Sequence, residues 1–409
     1  MRMPVTRPVS SWNSLSPLSR GALFYLGFFG IMGMFLPFLN VYFRQDLGFS
    51  GRQIGILSLL YPLVRLTLII PIASLADQRL WRIPILKVSL IGVSVMLVLA
   101  SLPRTFFVWI PLRLVMALFL SPIIPLADSL IARMAIRHRL NYGTMRLWGS
   151  FSFALLAVGC GLLWEWIGFR AMFLLSGMFY LPLVGVASHL EEEPVTIDHQ
   201  MEQSFWELRR DRGFVVLVIT SFFIGASIYT SIMFDGIYMN ALGGTQAFVG
   251  LMFGVSALSE LPTMHYSDAI ASRLSGPKTL LLAYSLFMLA FGGYVAAWHP
   301  AVLLPMAMIK GLGFGLFYVG TVRLVSERAP EKWASTGQSI INMSAFGLAP
   351  VIVSPVSGEL YDLFGAKAIF AGGTFLGGTA ALILGIAIIK GVYAPSAASR
   401  MLPEHCHST

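Results

Sequence analysis

Eight ionisable side chains interrupt stretches that are otherwise apolar. Three are acids, Asp128, Asp235 and Glu260; five are bases, Arg65, Arg113, Arg146, Lys310 and Arg323. A charge at the centre of a bilayer costs roughly 2.5–3.5 kcal/mol on insertion scales, so such a group normally faces a polar cavity or a partner. The bland reading of each is a structural ion pair or a side chain reaching back to the headgroups. Asp128 closes one apolar run and Arg146 opens the next. A carboxylate and a guanidinium in one pocket can hold hydroxyl groups, or exchange their ion pair for a substrate carboxylate. Glu260, inside Ala257-Leu258-Ser259-Glu260-Leu261-Pro262, has the setting of a proton carrier, and Asp235 supplies a second acid. Five cations against three acids leave the interior net positive, which favours an anionic substrate by Coulomb attraction at low dielectric. Of the seven His only His265 lies in an apolar run, and Gly-x4-Gly-Lys-[Ser/Thr] is missing. Catalysis, a metal, a cofactor and ATP as energy source are therefore not expected.

These charges must be positioned by membrane helices. The 409 residues are 56% hydrophobic and 11% charged, with a mean hydropathy of +0.77, whereas soluble domains carry about 25% charged residues. A span needs roughly 20 apolar residues. Such runs lie near 20–43, 51–75, 83–101, 106–130, 144–164, 170–189, 213–240, 246–269, 278–298, 301–323, 335–360 and 367–391. With the N-terminus inside, the cytoplasmic segments hold 18 Lys and Arg and the opposite side 5, so both termini are expected to be cytoplasmic. The net charge of +9 comes from bases scattered singly or in threes, not from a stripe that would follow a nucleic-acid backbone. Cys160 and Cys406 offer no disulfide framework. The first eighteen residues lack the compact apolar core of a cleaved signal, so the first span is expected to direct insertion.

Gly161, Glu165, Gly168, Arg170 and Phe173 recur as Gly358, Asp362, Gly365, Lys367 and Phe370 at one offset of 197. This repeat divides the chain into a six-helix bundle over 1–189, a cytoplasmic linker over 190–212 and a second six-helix bundle with a short tail over 213–409. Residues 202–212 suit an amphipathic surface helix. The fold class expected is an all-α membrane protein of twelve transmembrane helices in two pseudo-symmetric halves. Repeats of this sort place a binding site near the bilayer midplane, between the halves.

Several stretches carry a family likeness. The turn after the second span reads Ser74-Leu75-Ala76-Asp77-Gln78-Arg79-Leu80-Trp81-Arg82. It resembles the loop motif of the major facilitators, although Ser74 and Leu80 replace its glycines. The strongest stretch runs from Ser121-Pro122-Ile123-Ile124-Pro125-Leu126-Ala127-Asp128 through Asn141-Tyr142-Gly143-Thr144-Met145-Arg146-Leu147-Trp148-Gly149 to Phe153. Gly33-Met34-Phe35-Leu36-Pro37-Phe38, Leu63-Val64-Arg65, Gly250 to Glu260, Gly337-Gln338 and Gly358 to Asp362 fit as well. From about residue 20 to 390 the chain resembles the phenylpropionate permease branch of the lactose permease-like major facilitators.

That resemblance implies the major facilitator fold, with Asp128 and Arg146 as the principal substrate pair and Arg65 and Arg323 at family positions. It assigns Asp77, Arg79 and Arg82 to a clamp that governs conformation. Phe153 stands where the sugar permease has a Trp that stacks on the sugar ring, which lowers the sugar reading. Lys310 stands where relatives have His, and Leu316 replaces a nearby acid, so a proton would ride on Glu260, Asp235 or Asp128. Phe35, Phe38, Tyr42, Phe151, Phe153, Tyr238 and Phe317 are candidates to line an apolar pocket. The expectation is a monomeric, multi-pass inner-membrane symporter that couples uptake of a small organic acid, such as an aromatic carboxylate, to protons by alternating access. A sugar or nucleoside symporter, a drug/proton antiporter and a non-transporting sensor are the alternatives. Residues 147–164 lack the proline of the antiporter signature.

Overall fold

In the computed structural model the described residues are 15–192, 208–266, 269–270, 273–329 and 333–393. Most of the linker, Asp268, the C-terminal tail and the side chain of Asp77 lie outside them. The helices are α1 (Pro17–Gln45), α2 (Gly51–Arg79), α3 (Arg82–Ala100), α4 (Phe106–Leu120), α5 (Ile123–Arg137), α6 (Tyr142–Ile167) and α7 (Phe169–Ala187). They continue with α8 (Arg212–Ala241), α9 (Gln246–His265), α10 (Gly276–Ala296), α11 (Pro300–Arg328), α12 (Ala334–Met343), α13 (Ala349–Phe364) and α14 (Ala366–Ile389). The fourth expected span is longer than its apolar run and breaks at Ser121–Pro122 into α4 and α5, because proline cannot donate to the preceding turn. Between α12 and α13 the helix widens into a π segment, Ser344–Leu348. Ten stretches are apolar and long enough to cross a membrane. α2 and α9 are long enough but less apolar, and the expected count of twelve includes them.

The helices begin where side chains supply the missing acceptors. Ser50 and Gln53 form a reciprocal box at the start of α2, at 3.2 and 3.0 Å, and Asn141 accepts from the Gly143 amide at 2.8 Å. Gly168 and Gly365, the central glycines of the repeat, both turn at φ +77° between one helix and the next. A side chain would be strained there.

Each helix sorts its residues by period. On α3, Leu86, Leu90, Val93 and Leu97 are fully buried, while Val88, Ile91 and Val95 on the other side are exposed. An exposed stripe of Val and Ile is tolerable only where the solvent is itself apolar, so this face meets lipid. Aromatic clusters tie the helices together: Tyr42 on α1 meets Phe173 at 4.9 Å, and Tyr238 on α8 meets Phe370 at 5.0 Å. Phe173 and Phe370 are the last matched pair of the repeat, and each clamps the first helix of its own half.

α6 lies along α1 and also along α9, and α2 lies along α13. Close approach in both cross-half pairs relies on glycine. A side-chain carbon at Gly250 would collide with the Ala157 carbonyl, and one at Gly358 with the Gly51 carbonyl.

Candidate substrate pathway

Asp128 sits two-thirds of the way down the broken fourth span, on α5, and is half-buried. The Tyr25 hydroxyl donates to Asp128 Oδ1 at 2.6 Å, and the Tyr142 hydroxyl lies 2.9 Å from that of Tyr25. Arg146, one turn into α6, lays its guanidinium over the Phe29 ring at 3.9 Å and the Tyr25 ring at 5.5 Å. Asp128 and Arg146 therefore share an aromatic frame within Coulombic range of each other, but among the described residues no ion pair joins them. The two charges are left available to a third party.

Other expected residues extend this pair into a series. Arg65 on α2 lies within Coulombic range of Asp128. On the far side, the half-buried carboxylate of Glu260 on α9 feels both Arg146 and Lys310. Lys310 on α11 is buried and forms an ion pair with the fully buried Asp235 of α8; the Ser231 hydroxyl donates to Asp235 at 2.7 Å. In order, Arg65, Asp128, Arg146, Glu260, Lys310 and Asp235 alternate in sign across the seam between the two sets of helices. Phe153 stands two turns along α6 from Arg146, half-buried, with its backbone against Gly33.

The remaining candidates lie elsewhere. Arg323, towards the other end of α11, donates to Glu327 at 2.7 Å and to the Leu274 carbonyl at 2.9 Å, away from the series. Arg79 stacks over Trp81 at 5.0 Å. Arg82 is fully buried at the start of α3, where its backbone amide donates to Glu192 at 2.7 Å. Of the aromatic candidates, Phe35, Phe38, Tyr42, Tyr238 and Phe317 are buried in helix packing, and Phe151 is exposed. Tyr25 and Tyr142 were not among the sequence candidates. Tyr142 falls within the strongest family stretch, whereas Tyr25 gave no signal, since its partner is 103 residues away.

One face of the seam is shut. Asp362, at the end of α13, accepts from the amides of Gly51 and Arg52 at 2.6 and 2.8 Å. Glu165, its repeat counterpart at the end of α6, accepts from the Ala247 amide at 2.7 Å. Each acid thus caps a helix of the opposite half, where the helix dipole favours negative charge. Gln246 donates to Gln45 at 2.9 Å beside them. Outside the spans on the same face, burial raises the Asp46 carboxyl above its ordinary range, with Arg104 opposing. At the other face the described ion pairs stay within a half. Glu191 meets Arg20, Arg137 and His138 at 3.7, 3.6 and 3.0 Å, and Asp211 meets Arg328 at 3.4 Å.

The chain is similar to the maltose permease of Geobacillus stearothermophilus, 26% identical over 88% of this chain and 91% of that protein. It is also similar to the probable 3-phenylpropionic acid transporter of Escherichia coli (strain K12), 23% identical over 84% and 91%. Its fold is similar to that of the nucleoside transporter NupG, with a TM-score of 0.79 at 14% identity over 93% and 100%. A bacterial homolog of the human lysosomal transporter Spinster, solved inward-facing and unoccupied, matches with a TM-score of 0.70 at 15% identity over 94% and 97%. These relatives are transporters rather than enzymes. The model of the MFS_1-like family matches residues 18–371, and with the all-helical, multi-pass architecture this makes the chain a secondary transporter that belongs to that family.

Proposed function

We infer that the protein imports a small organic anion, such as an aromatic monocarboxylate, together with protons. The halves at 1–189 and 213–409 rock about the seam in the bacterial inner membrane, with both termini cytoplasmic. The observation that carries this reading is the charge series. Its six members cancel pairwise, and Arg113 adds a cation, so the seam is one positive charge in excess until an anion enters. Asp128 and Arg146 exchange their mutual attraction for contacts to substrate, and Arg65 holds Asp128 from its other side. Glu260, which no hydrogen bond or ion pair holds among the described residues, carries the proton. The Lys310–Asp235 pair keeps the second half's own charges silent. The phenylpropionic acid relative supports the carboxylate class.

A sugar is the second reading. Asp128, Tyr25 and Tyr142 present a carboxylate and two hydroxyls side by side, a set suited to sugar hydroxyls, and the maltose permease is a relative. Counterflow into proteoliposomes with 3-phenylpropionate and with maltose, with and without a pH gradient, tests both. Carboxylate uptake that rises with an inward proton gradient is expected. Uptake of maltose alone would replace the first reading by the second, and indifference to the gradient would remove the coupling.

A further inference from the structure

Arg113 lies seven residues into α4, roughly 10 Å along the helix from Phe106 at the shut face. It is the one cation of the seam with no carboxylate partner among the described residues. Its Nε is buried without an acceptor, and one of its terminal N–H groups reaches only Met116 Sδ, at 3.8 Å, a weak acceptor. Its electrostatic neighbours are two phenols, Tyr61 on α2 and Tyr229 on α8. Tyr229 donates to the Ser58 carbonyl at 3.0 Å, across the seam. Arg113 thus stands where α2, α4 and α8 meet, beneath the closure made by Asp362. A guanidinium presents a planar fork of donors that matches a carboxylate, and this one is held in place with its acceptor missing.

We propose that Arg113 binds the carboxylate of the transported anion, with Tyr61 and Tyr229 flanking it, while the apolar body of the substrate extends towards Phe153 and Arg146. This rests on the organic-anion reading above and adds the residue that makes the seam selective for an anion. The substrate then supplies the missing counter-ion, so an empty carrier and a loaded one differ in net charge at this point. Neutral compounds of the same shape leave the guanidinium unanswered.

The test uses the full-length protein in proteoliposomes and compares 3-phenylpropionate with its neutral amide and with maltose. Wild type is expected to take the carboxylate and not the amide. Arg113→Gln is expected to weaken carboxylate binding by about tenfold or more, the scale of a lost charge-assisted hydrogen bond. Arg113→Lys, which keeps the charge without the fork, is expected to fall between them and serves if the Gln variant does not fold. Equal handling of carboxylate and amide by wild type, or unchanged carboxylate binding in a folded Gln or Lys variant, would overturn the assignment while leaving the anion reading intact. Wild type that takes maltose and no carboxylate would overturn both.

Discussion

Asp235 and Lys310 answer each other so fully that neither is available to a ligand, and this separates them from the rest of the charged series. Removing one partner leaves a buried charge. We expect Lys310→Ala or Asp235→Asn to destabilise the protein by about 3–5 kcal/mol. The double replacement Asp235→Leu with Lys310→Met should recover most of that loss. Thermal melting in detergent reads the difference, and a double variant no better than the singles would contradict a self-contained pair. Glu260 has the opposite character. It has charged neighbours but no bonded partner, so Glu260→Gln should abolish accumulation of substrate driven by a pH gradient while sparing exchange. Unaltered accumulation would clear it of proton carriage. All eight charges were legible from the sequence, because an ionisable residue inside an apolar run is conspicuous. Their partners were not. Lys310 and Asp235 are 75 residues apart, and only the packing of α8 against α11 decides that they cancel.

The helix ends are where the duplicated sequence acquires meaning. The five-residue repeat was visible before any coordinates, and the turns at Gly168 and Gly365 explain its central glycines. What sequence could not supply is that the repeat acids cross over, Glu165 to the start of α9 and Asp362 to the start of α2. A cap of this kind contributes on the order of 1 kcal/mol, so each of Glu165→Gln and Asp362→Asn should shift the closed face several-fold towards opening. A cysteine at Ser58, buried behind that face, offers the readout. It should react faster with an impermeant thiol reagent in either variant, and faster still with both changes. Equal labelling rates would mean that the glycine contacts alone hold the face shut. Those contacts make a prediction of their own: Gly250→Val or Gly358→Val should force the same face apart, since each new side chain meets a backbone carbonyl.

Taken as one body, the transporter was legible in its class and in its approximate spans, because lipid imposes length and apolarity on any crossing helix. The departures occur where backbone pitch changes, at the break before α5 and at the widened turn after α12. That widened turn has a mechanical consequence. The π segment contains one residue more than a regular helix would need over the same rise, and it is seated by the Ser344 hydroxyl on the Val218 carbonyl at 3.0 Å. The surplus residue sets the angular phase of everything downstream. Excising any one of residues 344–348 would rewind the screw and rotate Ala349–Phe364 by about 100°. Ser354 and Gly358 would then swing off the neighbours they now face, and the Asp362 carboxylate would point away from Gly51. A chain one residue shorter should insert and keep its first six helices. It should nonetheless be unable to seal, leaking label to Ser58→Cys as though its outer door had been hung on the wrong side of the frame.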